Sequence, residues 1–113
     1  MKLIMLLLAL GSFSAFAAKC DELGQKALVD QCQFDQIDAR LITTYQNVLT
    51  LVDRRAEVLL RTSQRGWVQM RDTQCAAEDY LFSPTLETVN TCKIRMTRAR
   101  ISELNLILRR MNH

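Results

Sequence analysis

Turn-forming and metal-binding residues are scarce in this sequence. Its 113 residues include one proline, Pro84, and three glycines. An all-β domain needs turn residues roughly every 8–12 positions, so this scarcity argues against that class. The single histidine, His113, is terminal, and the four cysteines include no C-x-x-C pair. Such a set gives little support to a zinc site, and we expect neither a metal nor any other cofactor.

Long hydrophobic runs are also missing. The run Leu3–Leu10 is well short of the roughly 20 apolar residues that a membrane-spanning helix needs. It follows Lys2 and leads through small residues to an A-x-A motif ending at Ala17, which is the order of a secretory signal peptide. We therefore predict a signal peptide over residues 1–17. One exported domain, residues 18–113, follows it and is expected to be periplasmic or secreted and not to span a membrane.

The charge of this exported domain is nearly balanced. The sequence has fifteen Lys and Arg, fourteen once Lys2 is removed with the signal peptide, against twelve Asp and Glu, which leaves a formal charge of +2. A dedicated nucleic-acid-binding domain would be clearly basic with clustered charge, so we expect no nucleic-acid partner. With 49% hydrophobic residues, the chain has enough apolar surface to fold, and disorder is not expected.

Hydrophobic spacing predicts three main helices. The first carries a stripe at helical intervals, interrupted by Thr44 and formed by Phe34, Ile37, Leu41, Val48 and Leu51. The second runs from about Ala56 to Leu81 and the third from about Thr88 to Met111. The residues expected on their inner faces are Leu60, Trp67, Met70 and Cys75 in the second helix and Val89, Cys92, Met96, Leu104, Ile107 and Met111 in the third.

The connections carry weaker signals. Residues 52–57 include no glycine or proline, yet we expect a break there, because one rod of about fifty residues would leave its apolar face without a partner. Ser83 and Pro84 match the start of a helix, and a short helix is expected around residues 23–29. The predicted fold class is therefore all-α: a small antiparallel bundle of three main helices plus a short N-terminal helix, stapled by disulfides.

Four cysteines in a small exported domain predict two disulfides, because the compartment is oxidising. Three connectivities are possible. If the last two helices turn near Pro84, Cys75 and Cys92 lie at similar distances from the turn, which favours a bond between them. A bond between Cys20 and Cys32 requires the chain to fold back, since one straight helix would separate them by about 18 Å. Disulfides need α-carbons within about 7 Å.

Three segments, residues 38–49, 59–75 and 92–104, resemble the signature of the LprI-like lysozyme-inhibitor domain family. The matching positions are Asp38, Leu41, Tyr45, Leu60, Gln64, Trp67, Arg71, Asp72, Cys75, Cys92, Thr97, Arg100, Glu103 and Leu104. Ile42 and Gly66 stand where the family usually has asparagine and alanine, and "SPTLETVN" replaces a Gly-Ser-rich stretch. The resemblance implies an all-helical, disulfide-bonded, exported bacterial domain and, for some members, inhibition of lysozyme.

Gln64, Trp67, Arg71 and Cys75 fall on one helical stripe, which allows two interpretations. Trp and Arg are common hot-spot residues, so the stripe could be a binding surface. We favour a structural role, in which Trp67 lies in the core and Arg71 packs on it. A buried arginine needs a carboxylate partner, and Asp38 is the natural candidate. We expect Arg100 and Tyr45 to join Arg71 and Asp38 in one hydrogen-bonded network.

Catalysis has little support in the sequence. Adjacent carboxylates such as Glu78 and Asp79 point to different sides of a helix, and no serine, threonine or cysteine has an evident activating base. We therefore predict a non-catalytic binding protein, and the family resemblance implies a lysozyme-type muramidase as its first candidate partner. An acidic edge formed by Glu78 and Asp79, with Glu87 beyond the turn, would be drawn to such a cationic enzyme and block its cleft.

Arginine pairs suggest an alternative partner. The pairs are Arg54–Arg55, Arg95–Arg98 and Arg109–Arg110. Most such side chains form a solvated surface, but together they could attract an anionic component of the envelope. The alternative hypothesis is therefore an envelope structural or stress protein that binds lipopolysaccharide, peptidoglycan or lipid headgroups.

Overall fold

Three α-helices and one short 3-10 helix form the described part of the chain. The computed structural model describes residues 20–82 and 89–112. The 3-10 helix spans Cys20–Leu23, and the α-helices span Lys26–Leu49 (α1), Arg54–Phe82 (α2) and Val89–Met111 (α3). Neither described range contains a strand, and no helix within them is long and apolar enough to cross a membrane. The predicted all-α class is confirmed. The predicted signal peptide and the helix start at Ser83 and Pro84 lie outside the described residues.

The register of the helices is fixed by contacts along α3. At its N-terminal end, the Asn90 amide donates to Gln31 at 2.9 Å, so α1 and α3 run parallel with their N-terminal ends together. Along α2 and α3 the contacts run in opposite directions, from the Cys75–Cys92 disulfide to the hydrogen bond from Arg100 to Gln64. Helix α2 is therefore antiparallel to the other two. The turn between α1 and α2 lies at the same end as the C-terminus of α3.

The core lies mainly between α1 and α3. Its buried residues are Ile37, Leu41 and Val48 from α1 and Ile94, Ile101 and Leu104 from α3. Helix α2 contributes partly buried Leu60 and Trp67, and its two buried residues are Arg71 and Cys75. The two buried positions of α2 thus hold a cation and a disulfide sulfur, whereas α1 and α3 bury mainly aliphatic side chains.

Three residues expected on inner faces are exposed instead. Met70 is 45% exposed, Met111 38% and Leu51 57%. Met70 directly precedes Arg71, and because neighbouring positions on a helix differ by about 100°, the burial of Arg71 turns Met70 outward. Met111 is the last residue of α3, and Leu51 lies in the turn after α1. Conversely, Ile94 and Ile101 are core residues that the spacing argument left out.

A short N-terminal helix is present, but it is the 3-10 helix Cys20–Leu23 and not the predicted residues 23–29. The chain forms a 3-10 turn from Cys20 and reverses at Gly24, and α1 then starts at Lys26 and includes Cys32. Gly24 has φ 79°, a conformation that costs a glycine little but strains other residues. The reversal brings the α-carbons of Cys20 and Cys32 to 5.5 Å, and the two cysteines are joined by a disulfide. The predicted fold-back is therefore present, but as a turn packed on α1.

The predicted break between the first two helices is confirmed, and Asp53 is its local cause. Its Oδ1 accepts a hydrogen bond from the Ala56 backbone N–H at 2.9 Å, which satisfies one of the free donors at the start of α2. We expect Asp53→Ala to lower the free energy of unfolding by about 1 kcal/mol. Chemical denaturation measures this change. Asp35→Ala, which removes an exposed aspartate from the middle of α1, is the control and should have a smaller effect.

Candidate functional site

Arg71 is a buried cation with three hydrogen-bond acceptors. Only 6% of its side chain is exposed. Its Nε donates to Asp72 at 2.9 Å, and its Nη1 donates to Asp38 and to the Thr97 hydroxyl, each at 3.3 Å. These acceptors belong to all three helices, because Asp38 lies on α1, Asp72 on α2 and Thr97 on α3. The guanidinium therefore ties the bundle together across its centre.

Aromatic rings enclose the same guanidinium. Its central carbon lies 5.0 Å from the centroid of the Phe34 ring and 5.1 Å from that of Trp67. Both distances lie within the range of cation–π attraction, which strengthens when the cation is shielded from water. Asp38 and Asp72 stay partly exposed, at 36% and 46% of their side chains. The carboxylates thus keep contact with solvent while the cation is enclosed.

A second arginine extends this cluster along the interface between α2 and α3. Arg100 donates to the Gln64 side chain at 3.0 Å and to Glu103 at 3.0 Å, and it lies 5.8 Å from the Trp67 ring. Tyr45 is different: it packs on the core, and its hydroxyl forms no hydrogen bond within residues 20–82 and 89–112. The geometry supports the structural interpretation of the Gln64–Cys75 stripe, since Arg71 is enclosed and Cys75 is fully buried.

An open groove separates α1 from α2 beside this cluster. It encloses about 390 Å³ and is lined by residues that include Asp38, Ile42, Tyr45, Arg61 and Val68. Its arginines are occupied, because Arg61 pairs with Glu57 at 3.0 Å and Arg71 with the partners above. In the described ranges no group of three or more His, Cys, Asp or Glu is placed to share a metal ion.

The two described members of the acidic edge differ in their surroundings. Glu78 pairs with Arg95 at 2.8 Å. The hydrogen bonds from Arg95 and, secondarily, from Gln74 lower the pKa of the Glu78 carboxyl, because they favour its charged form. Asp79 is partly exposed. Glu87 lies outside the described residues. The negative charge of Glu78 is thus largely compensated, and Asp79 carries the exposed charge of this edge.

The end of α2 carries exposed apolar residues that the sequence analysis did not single out. Tyr80 is 85% exposed, Leu81 66% and Phe82 52%. The last turn of α2 has no basic residue. We call Asp79, Tyr80, Leu81 and Phe82 the α2 tip. The sequence did contain a signal for this exposure, because three large apolar residues follow one another at a predicted helix end. A helix cannot turn three consecutive side chains to the same face, so they could not all point into the core.

A family model described as "Lysozyme inhibitor LprI" matches residues 20–104. The match begins at the first disulfide cysteine and ends at core residue Leu104, so it spans most of the described bundle. No curated protein and no solved structure matches the chain.

Proposed function

Since the chain belongs to the LprI lysozyme-inhibitor family, we propose that it is an exported, non-catalytic protein that inhibits a lysozyme-type muramidase. The family match carries this proposal. Two disulfides support export, because such bonds form and persist in oxidising compartments such as the periplasm or the extracellular space. Inhibition would require only that the protein occupy the enzyme's cleft, with no chemistry of its own.

The α2 tip supports this function as the contact surface. Exposed tyrosine and neighbouring apolar side chains are the type of anchor that dominates protein interfaces. Asp79 and the negative end of the α2 dipole give the tip a negative character, which suits a cationic enzyme. The tip directly precedes residues 83–88, which include Glu87, the third residue of the predicted acidic edge. The α2 tip, more than the neutralised Glu78, is therefore our candidate for the inhibitory surface.

The function is tested by turbidity assays of bacterial cell-wall lysis. The purified protein with both disulfides formed is mixed with several animal and bacterial lysozymes, and the decline in turbidity is followed at increasing molar ratios. We expect a dose-dependent fall in the lysis rate for at least one of them. Full lysis with every enzyme at a large molar excess of the protein would contradict the proposal.

The contact surface is tested by the double variant Tyr80→Ser/Leu81→Ser. We expect the concentration needed for half-inhibition to rise at least about tenfold, because removing a hot-spot side chain typically costs more than 1 kcal/mol of binding. The stability should change little, since both side chains are mostly exposed. The matched control is Leu59→Ser, an equally exposed leucine near the other end of α2, at 62%. Unchanged inhibition by the double variant would place the contact elsewhere without refuting inhibition itself.

A further inference from the structure

Two of the three arginine pairs meet at one end of the bundle. Helix α2 starts with Arg54 and Arg55, and α3 ends with Arg109 and Arg110. Because α2 and α3 are antiparallel, with Arg71 level with Thr97, the first turn of α2 lies level with the last turn of α3. We call this region, together with the turn after α1, the basic end. Residues Arg95 and Arg98 lie in the other half of α3, and Arg95 is paired with Glu78.

The cations of the basic end are not neutralised. Within residues 20–82 and 89–112, Arg55, Arg109 and Arg110 take part in no ion pair. Arg54 approaches Glu57 only at 4.0 Å, and 87% of its side chain is exposed. The acidic groups nearby are engaged, because Glu57 also pairs with Arg61 and Asp53 caps α2. The result is a local excess of positive charge on a domain that is nearly neutral overall.

Helix stability does not explain the first of these pairs. A cation in the last turn of a helix interacts favourably with the helix dipole, which accounts for Arg109 and Arg110. The dipole disfavours a cation in the first turn, where Arg54 and Arg55 stand. These two arginines therefore reduce the stability of α2 slightly, and an interaction outside the bundle is a physical reason for their presence.

Exposed apolar side chains surround the same arginines. Leu51 is 57% exposed, Val58 50% and Leu59 62%, all within five residues of Arg54. On the α3 side, Leu106 is 41% exposed and Met111 38%. Arginines mixed with exposed leucines are typical of surfaces that lie at a membrane interface, where cations meet anionic headgroups and apolar side chains enter the acyl boundary.

We propose that the basic end docks on the surface of a bilayer that contains anionic phospholipid. Peptidoglycan fits less well, because it offers no apolar phase for Leu51 and Leu59. The two ends of α2 would then have different partners: a helix of 29 residues is about 43 Å long, so docking at Arg54 holds the α2 tip well away from the membrane. The docking rests on the charges and apolar groups of this end and does not depend on lysozyme inhibition.

Vesicle sedimentation tests the docking. The exported protein, purified after signal-peptide removal with both disulfides formed, is mixed with vesicles of equal parts phosphatidylglycerol and phosphatidylcholine, or of phosphatidylcholine alone. We expect binding to the first and at least about tenfold weaker binding to the second. Each arginine near an anionic surface contributes roughly 1 kcal/mol, so Arg54→Gln/Arg55→Gln should also weaken binding at least about tenfold. Leu59→Ser should lower the binding that persists at high salt, where charge attraction is screened.

The control is Arg40→Gln/Arg98→Gln, which removes the same charge from exposed positions in the middle of α1 and α3. This variant should bind the phosphatidylglycerol vesicles nearly as well as the unaltered protein. Equal losses in the two double variants would show that only net charge matters and would overturn the proposal. Binding that is indifferent to phosphatidylglycerol, or unchanged by both Arg54→Gln/Arg55→Gln and Leu59→Ser, would overturn it as well.

Discussion

Replacing Cys75 and Cys92 together by alanine is expected to lower the free energy of unfolding by about 3 kcal/mol. The bond closes a loop with a sequence separation of 17 residues, and constraining the unfolded chain over such a length stabilises the folded state by about that amount. The total free energy of unfolding of a domain of this size is about 5–15 kcal/mol. Guanidinium denaturation followed by circular dichroism measures the difference, with the midpoint shifting while the slope stays nearly constant.

The matched control for this prediction is the double variant Cys20→Ala/Cys32→Ala. Its loop has a sequence separation of 12, so the constraint on the unfolded chain is similar. The folded states differ, because without that bond residues 20–25 can fray from α1, and the native state regains part of the chain entropy. Losing the Cys75–Cys92 bond instead disconnects α2 from α3 at two fully buried positions. We expect the free energy of unfolding of the control variant to fall by less than half as much, and equal decreases in the two double variants would contradict this account.

Much of the helical bundle could be predicted from the sequence, because its helices and one of its disulfides depend on the spacing of nearby residues. The break before α2 was predicted because one long helix would have left its apolar face without a partner. The Cys75–Cys92 bond was predicted because both cysteines lie at similar distances from the turn near Pro84. The short N-terminal helix was misplaced because the reversal at Gly24 depends on the conformation that accompanies the Cys20–Cys32 bond. A glycine in a polar segment does not reveal on its own whether the helix begins before or after it.

The surfaces were harder to predict than the core. Apolar spacing placed both Trp67 and Met70 on an inner face and so could not separate them, and it did not identify Tyr80 and Leu81 as exposed. Exposure at a helix end depends on how far the partner helix extends, which is a tertiary property. Likewise, Glu78 looked like a free acidic group until the register of α3 placed Arg95 beside it. The charges of the basic end were visible in the sequence, but their convergence was not.

Arg71→Ala is expected to lower the free energy of unfolding by about 3 kcal/mol. The change removes the cation from two rings, leaves a cavity at the centre of the bundle and deprives the fully buried Thr97 hydroxyl of its partner. Part of the loss is offset, because Asp38 and Asp72 are exposed enough to be hydrated. Arg65→Ala, an exposed arginine on the same helix, is the control and should change the stability by less than about 0.5 kcal/mol in the same denaturation experiment.

Two further variants separate packing from charge at this position. Arg71→Lys keeps a cation, but a single ammonium cannot reach Asp38, Asp72 and Thr97 together as the planar guanidinium does, so we expect an intermediate loss. Arg71→Met restores much of the side-chain volume while leaving the Thr97 hydroxyl unpaired. Combining it with Thr97→Val removes both polar partners and should recover part of the stability. If Arg71→Ala changed the stability by less than about 1 kcal/mol, the enclosed guanidinium would not be holding the helices together.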